Sequence, residues 1–303
     1  MVLTLNLTTG PNFFIIGAAK AGTTTLYEVL KQHPQVYMSF IKETLFFSND
    51  NYYEKGLEWY TRNFFSGAGG FAARGEATPN YLYWSNKVAT RIRVFENEPT
   101  KFVVILRDPV QRAYSWYWNS IKDGRENETF ENALALEQDR LEANREVFQR
   151  SGQMLYGYFQ GGCYATLLKP FLDNFSREQF IFILQDDLKT EFVDTCENLL
   201  KFLRVDENIP IKQSRNNIAS MPRNRTFHYL LKRQNNVTEW LKNIVPLKLR
   251  YLVKQKLLNA NLRSLKYPPI NPDTEKILRV RYADENIALG KIINRDLSAW
   301  LPK

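Results

Sequence analysis

One stretch limits the possible folds more than any other: "NFFIIGAAKAGTTTLYEVL", Asn12 to Leu30. The apolar run Phe13 to Ile16 lies between Gly10-Pro11 and Gly17, the pattern of a short buried strand. From Thr23 onward, Leu26, Val29 and Leu30 share one helical face, and Pro34 sets the helix's limit. Between strand and helix lies the loop Gly17, Ala18, Ala19, Lys20, Ala21, Gly22, followed by Thr23, Thr24 and Thr25. A strand entering a helix through such a loop presents backbone N–H groups and the positive helix end to an anion. The two glycines allow tight turns and close approach of backbone to phosphate. Their spacing is that of a nucleoside-triphosphate P-loop, but Thr23 stands where that loop needs its lysine, and Lys20 lies inside instead. The plainer alternative is an ordinary βα turn with an incidental lysine. Strand, glycines, lysine and threonine run together favour phosphate binding.

The rest of the chain supports an α/β reading. "KFVVILRDP", Lys101 to Pro109, is a second buried strand, with a helix expected from Val110 to about Ile121. "QVYMS" and "QFIFILQ" read as further strands. Met154 to Asn174 reads as largely helical, and Thr190 to Leu203 as an amphipathic helix turning Phe192, Val193, Cys196, Leu199, Leu200 and Leu203 inward. Strands alternating with helices imply a central, mainly parallel sheet with helices on both faces, a P-loop-like three-layer fold. Beyond Asn208 the chain turns polar, then mostly helical over Phe227 to Ala260 and again over Thr274 to Ile293, with "YPPINPD" between. The expectation is one domain over residues 1–303: a nucleotide-binding core at about 12–205 and a helical C-terminal portion at about 206–303 that completes the site.

Charge narrows the partners. Lys plus Arg number 41 against 32 for Asp plus Glu, a net +9 that favours an anionic ligand. The basic residues are dispersed, with no basic stripe or RNP-like motif, so a nucleic-acid partner is not expected. No C-x-x-C or H-E-x-x-H spacing marks a metal site, and none is expected. Cys163 and Cys196 lie in helical surroundings and read as thiols of a reducing compartment. "MVLTLNLTTGPNFF" is not a signal peptide, and no apolar run reaches membrane-spanning length, so a cytoplasmic protein without a membrane partner is expected. The sequons at Asn6, Asn127, Asn224 and Asn236 are then chance. No sequence feature fixes an oligomeric state.

The loop resembles the phosphosulfate-binding loop of sulfotransferases that use PAPS (3′-phosphoadenosine 5′-phosphosulfate), whose pattern is close to G-x-x-K-x-G-T-[ST] with a downstream H-P, here His33-Pro34. Lys20 stands where that family keeps its lysine. "LRDPVQRAYSW" is similar to the family's 3′-phosphate motif and matches it at Arg107 and Ser115. "RGEATPNYL" and "GGCYATLLKPFL" resemble further family segments, and "YPPINPD" through "SAW" resembles the C-terminal block of bacterial members. Arg263 and Lys266, just before that block, are candidates for the 3′-phosphate, although the lysine-glycine-arginine turn of the animal glycan enzymes is missing.

The resemblance implies an enzyme with PAPS as donor and PAP as product. "SFIKETLFF" resembles the K-E-x-x-F-F segment of the glycan-type branch, which makes Glu43 the proton acceptor and Lys42 a support for the transferring group. From the residues alone, a solvated Lys-Glu pair is as good a reading. His228 is the second candidate base. Lys20 supplies charge at the leaving phosphate oxygen. The polar, aromatic segments "YWSNKV" and Asn119 to Arg150 favour a polar small molecule or natural product as acceptor, in a bacterium. A carbohydrate and a carrier-protein-bound hydroxyacyl chain are the alternatives. A P-loop kinase or NTPase is the competing enzyme class, with Asp108 its one candidate magnesium ligand.

Overall fold

A computed structural model describes residues 10–96, 99–213, 220–232 and 247–303. The first half runs β1 (Phe13–Gly17), α1 (Thr23–Leu30), β2 (Val36–Met38), α2 (Asp50–Tyr53), α3 (Gly56–Phe64), β3 (Ala73–Ala77), α4 (Asn80–Tyr83), α5 (Ser85–Phe95), β4 (Lys101–Leu106) and α6 (Pro109–Lys122). Then come α7 (Phe130–Ala135), α8 (Glu137–Ala143), α9 (Arg145–Ser151), α10 (Tyr164–Asn174), β5 (Phe180–Leu184), α11 (Asp187–Thr190) and α12 (Phe192–Leu203). The C-terminal portion holds β6 (Ser220–Pro222), α13 (Arg225–Lys232), α14 (Leu247–Ala260), β7 (Leu262–Ser264), α15 (Pro272–Arg281) and α16 (Ala283–Ile293).

The five core strands are all parallel, in the order β2-β3-β1-β4-β5, and helices flank the sheet. The chain leaves β1 toward β2 on one side and leaves β4 toward β5 on the other. That divergence opens a crevice at the carboxyl ends of β1 and β4, the usual ligand position in an open α/β sheet. Three phenylalanines lock the register below it. Phe14, Phe102 and Phe180 are cross-strand partners, and their rings stack at 6.2 Å and 4.8 Å.

Several expectations need correction. β3, sequence ARGEA, has too little apolar character to be read as a strand, yet it lies between β1 and β2 and is largely buried. Residues 154–163 are not α-helical; the helix begins at Tyr164. The glycines there admit large buried side chains: a Cβ on Gly161 would meet Arg112 Nη1 at 2.7 Å, and one on Gly162 would meet the Tyr282 hydroxyl at 2.7 Å. The last helix is two helices broken at Tyr282, whose hydroxyl donates to Phe159 O at 2.8 Å. Val193 is 63% exposed: it sits in the first turn of α12, at the edge of the Cys196, Leu199, Leu200, Leu203 stripe. Within Phe227 to Ala260, residues 233–246 lie outside the described ones.

Gly75 shows how tightly β1 and β3 meet. It pairs with Phe13, and a Cβ there would fall 2.2 Å from Phe13 Cζ. Gly75→Ala is expected to destabilise the fold by about 1–3 kcal/mol through overpacking, read as a lower urea midpoint at unchanged m-value.

Candidate active site

The crevice between β1 and β4 opens into a cleft of about 1760 Å³. Its floor is the loop between β1 and α1. Ala18 N donates to Ile105 O at 2.6 Å, which carries the β1–β4 pairing past the strand end and fixes the loop's origin. Gly17 closes on α4, where a Cβ would lie 2.6 Å from Leu82 Cβ. Gly22, at φ 116°, is the N-cap of α1 in a conformation that favours glycine, and it offers no side chain to cap the first-turn N–H groups. The positive helix end therefore faces the loop without a side-chain cap from Gly22, as an anion site requires.

Ala19, Lys20, Gly22, Thr23 and Thr24 line the cleft, with Lys42 and Glu43 opposite and Arg107 and Ser115 along one side. Ala18 and Ala21 are buried beneath the loop. Thr25 stands outside the lining, one position further into α1. Arg107 Nη1 donates to Lys20 O at 3.3 Å, tying the end of β4 to the loop's centre. Asp108 is otherwise engaged: one oxygen accepts from Val110 N and Gln111 N at the start of α6, and the other pairs with Arg279 at 3.1 Å. An Arg107–Asp108 surface pair is therefore not what holds Arg107. Asp108 as a helix cap with its own arginine is also a poor magnesium ligand.

Lys20 and Glu43 both hold φ 70° without being glycine. Such conformations cost roughly 1–3 kcal/mol each and persist only where the surroundings over-determine them. Burial pulls the Lys20 ammonium down to about 8, helped by Lys122 and opposed by Asp123 and Glu43, with Lys42 adding a smaller downward push. Lys42 Nζ lies 3.2 Å from Glu43 Oε1; the lysine is nearly buried and the carboxylate half exposed. The Tyr251 hydroxyl of α14 hydrogen-bonds the Lys42 backbone, so the C-terminal portion reaches this segment too.

Other expected residues lie elsewhere. His228 is 3% exposed, outside the lining, with Nε2 3.4 Å from Asp123 Oδ1. It lies behind Asp123, a cleft residue, and does not line the cleft. Arg263 and Lys266 are exposed and outside the lining, whereas Leu262 and Tyr267 line it. Alternation along β7, which pairs with β6, turns Leu262 inward and Arg263 outward.

Other residues belong to the site without a motif to announce them. Gln111, Asn119 and Lys122 join the motif residue Ser115 in lining the cleft at helical spacing along one face of α6, a polar stripe that was open to reading in the sequence. Over the same face, Tyr267 stacks on Trp118 at 4.8 Å and 5°, and the Tyr114 hydroxyl donates to Pro268 O at 3.0 Å. Pro268, Pro269 and Ile270 thereby roof one end of the cleft. Among the described residues, no group of His, Cys, Asp and Glu could hold a metal ion, and no helix is long and apolar enough to cross a membrane.

The sulfotransferase domain family model matches residues 10–245. The chain belongs to the sulfotransferase family. It is 31% identical to the Caenorhabditis elegans bifunctional heparan sulfate N-deacetylase/N-sulfotransferase 1 over 65% of this chain and 22% of that protein. It is 35% identical to the Dictyostelium discoideum membrane-associated sulfotransferase kil1 over 44% of this chain and 29% of that one. The chain thus spans less than a third of these relatives' length. The crystal structure of a sulfotransferase from Alicyclobacillus acidocaldarius superposes with TM-score 0.69 at 28% identity, covering 96% of this chain and 98% of that one. The Lys20 loop and the Arg107 end of β4 accordingly sit within the matched domain.

A depressed Lys20 pKa links ligand affinity to pH. An anion bound beside the ammonium favours its charged form, so binding takes up a proton wherever Lys20 is neutral in the empty site. Affinity for an anion at this loop, with PAP as the probe, is expected to hold below pH 8 and to fall by up to about tenfold per pH unit above it. Calorimetry in two buffers of different ionisation enthalpy checks this: near pH 8 the heats should differ by a fractional proton taken up, and in Lys20→Met they should not. The same depression opposes folding of the empty protein below pH 8, where Lys20 is charged in both states, and that cost vanishes as pH rises toward 10.5.

Proposed function

We propose that this chain transfers a sulfuryl group from PAPS, its donor substrate, to a hydroxyl or amino group of a polar acceptor, a carbohydrate before a natural product or a carrier-bound chain. The observation that carries the reading is the convergence of Lys20, the α1 N-terminus, Arg107, Ser115 and the Lys42–Glu43 pair on one cleft, from segments far apart in sequence. The residues suit a donor anionic at both ends. The loop and Lys20 meet the phosphosulfate. Arg107, able to grip a phosphate with two parallel N–H groups, and Ser115 meet the 3′-phosphate.

In the reaction the acceptor's lone pair forms a bond to sulfur as the bond from sulfur to the bridging phosphate oxygen breaks. Glu43 accepts the acceptor's proton. The Lys20 ammonium offsets the negative charge growing on the leaving oxygen, in a site where burial strengthens the effect. Lys42, beside Glu43, faces the transferring group. The carbohydrate preference rests on the large, polar cleft and on relatives named for heparan sulfate. Against a kinase stand the missing lysine after Gly22 and the commitment of Asp108 to the α6 cap and Arg279.

Two measurements test this. In EDTA, PAP at a hundredfold excess over Kd should raise thermal stability by the equivalent of about 2.7 kcal/mol. Stabilisation by ATP only with magnesium would instead favour a kinase. With labelled PAPS and N-desulfated heparin, O-desulfated heparin or free amino sugars as acceptors, the wild type should incorporate label. Lys20→Ala should abolish incorporation. Glu43→Gln should lower kcat by about 10²- to 10⁴-fold while PAP affinity stays within about twofold. Unchanged kcat would remove Glu43 as the base.

A further inference from the structure

Beneath the Lys42–Glu43 segment lies an acidic side chain that the reaction does not touch. Glu76, in the middle of β3, is 0% exposed. Four hydroxyls converge on its carboxylate. Tyr60 and Tyr81 reach Oε1 at 2.5 Å and 3.0 Å, and Thr44 and Thr78 reach Oε2 at 2.5 Å and 2.7 Å. Each donor comes from a different place: α3, α4, the turn after β3, and the residue directly after Glu43. The bonding continues outward into the same segment. Phe47 N donates to the Tyr81 hydroxyl at 3.2 Å, and Phe46 N donates to Thr44 Oγ1 at 3.3 Å.

These bonds bracket a backbone that would not adopt its shape unaided. Glu43 at φ 70° and Leu45 at φ 57° are both in the left-handed region, and Thr44 sits between them. Neither residue is glycine, so local preference opposes the conformation, and Thr44 is the one residue of the three tied to a buried anchor. Burial pushes the Glu76 carboxyl up, and the four hydroxyls oppose that rise by stabilising the ionised form. A carboxylate with four acceptor sites can take all four O–H groups at once. An amide in its place would turn a donor toward a hydroxyl.

We propose that Glu76 is a positioning residue, whose buried carboxylate holds Thr44 and through it the left-handed turn that aims Glu43 into the cleft. The proposal rests on Glu43 being the base. It predicts that cutting the tie at Thr44 leaves donor binding intact and impairs proton acceptance alone.

The test uses the full chain in four forms: wild type, Thr44→Val, Thr44→Ser and Glu76→Gln. Thr44→Val removes one hydroxyl from the anchor at nearly constant volume, so it reports even where Glu76→Gln does not fold. Amide hydrogen exchange of Phe47, whose acceptor is Tyr81 and not Thr44, should quicken by about tenfold or more in Thr44→Val, with β1 and β4 amides unchanged. With labelled PAPS and N-desulfated heparin, kcat should fall at least about tenfold at unchanged KM for PAPS, and Thr44→Ser should restore both exchange and kcat. Unchanged exchange at Phe47 would overturn the proposal. So would exchange that quickens across the sheet, which would make the network a general fold element, or a normal kcat beside a loosened turn. If the wild type transfers no label, the functional reading fails, and the exchange measurement still decides whether Glu76 holds the turn.

Discussion

Everything at the cleft depends on the pairing of β1 with β4. The bond from Ala18 N to Ile105 O extends that pairing beyond the end of β1, so two loops distant in sequence leave the sheet at the same level. From there the helix N-terminus and Lys20 approach a ligand from one strand, and Arg107 and the polar stripe of α6 from its neighbour. A one-residue slip would separate them by about 3.3 Å and invert every side chain. The ladder of Phe14, Phe102 and Phe180 works against that slip, because stacked rings in register cannot slide without losing their contacts.

Charge in the cleft is divided between groups held for a ligand and groups held for the fold. Asp108 caps α6 and pairs with Arg279, and Asp123 pairs with Arg125. Each of those carboxylates has a cationic partner of its own. Lys20 meanwhile bears the cost of its own burial, visible in its lowered pKa. A desolvated cation of this kind interacts weakly with the empty protein and strongly with an incoming anion. The site is thus prepared for a donor at some expense in stability.

The loop side of the cleft was legible because each part of it occupies consecutive residues. Gly17 to Thr25 carries strand, loop and helix start together, and Arg107 to Ser115 carries a strand end and its helix. The parts that escaped reading are made by distant segments. β3 has a glycine, an arginine and a glutamate in five residues, and only burial on both sides makes it a strand. Glu76 looks like a surface acid until Tyr60, Tyr81, Thr44 and Thr78 are seen around it. His228 sits on an amphipathic helix, and nothing local says which face is covered. The break at Tyr282 is equally invisible, since no proline or glycine marks it.

The cleft wall built after residue 245 differs in construction from the floor. Tyr251, Leu252, Gln255 and Asn259 of α14 and the stretch from Tyr267 to Ile270 face the same space as the donor loop. Among the described residues that wall has no strand in the central sheet, and its ties to the core include one tyrosine hydroxyl at Lys42, a ring stack on Trp118 and a bond from Tyr114 to a proline carbonyl. Such ties tolerate changes of side chain that a paired strand would not. Side chains on this wall can therefore change without disturbing the strand pairing that fixes the loop floor.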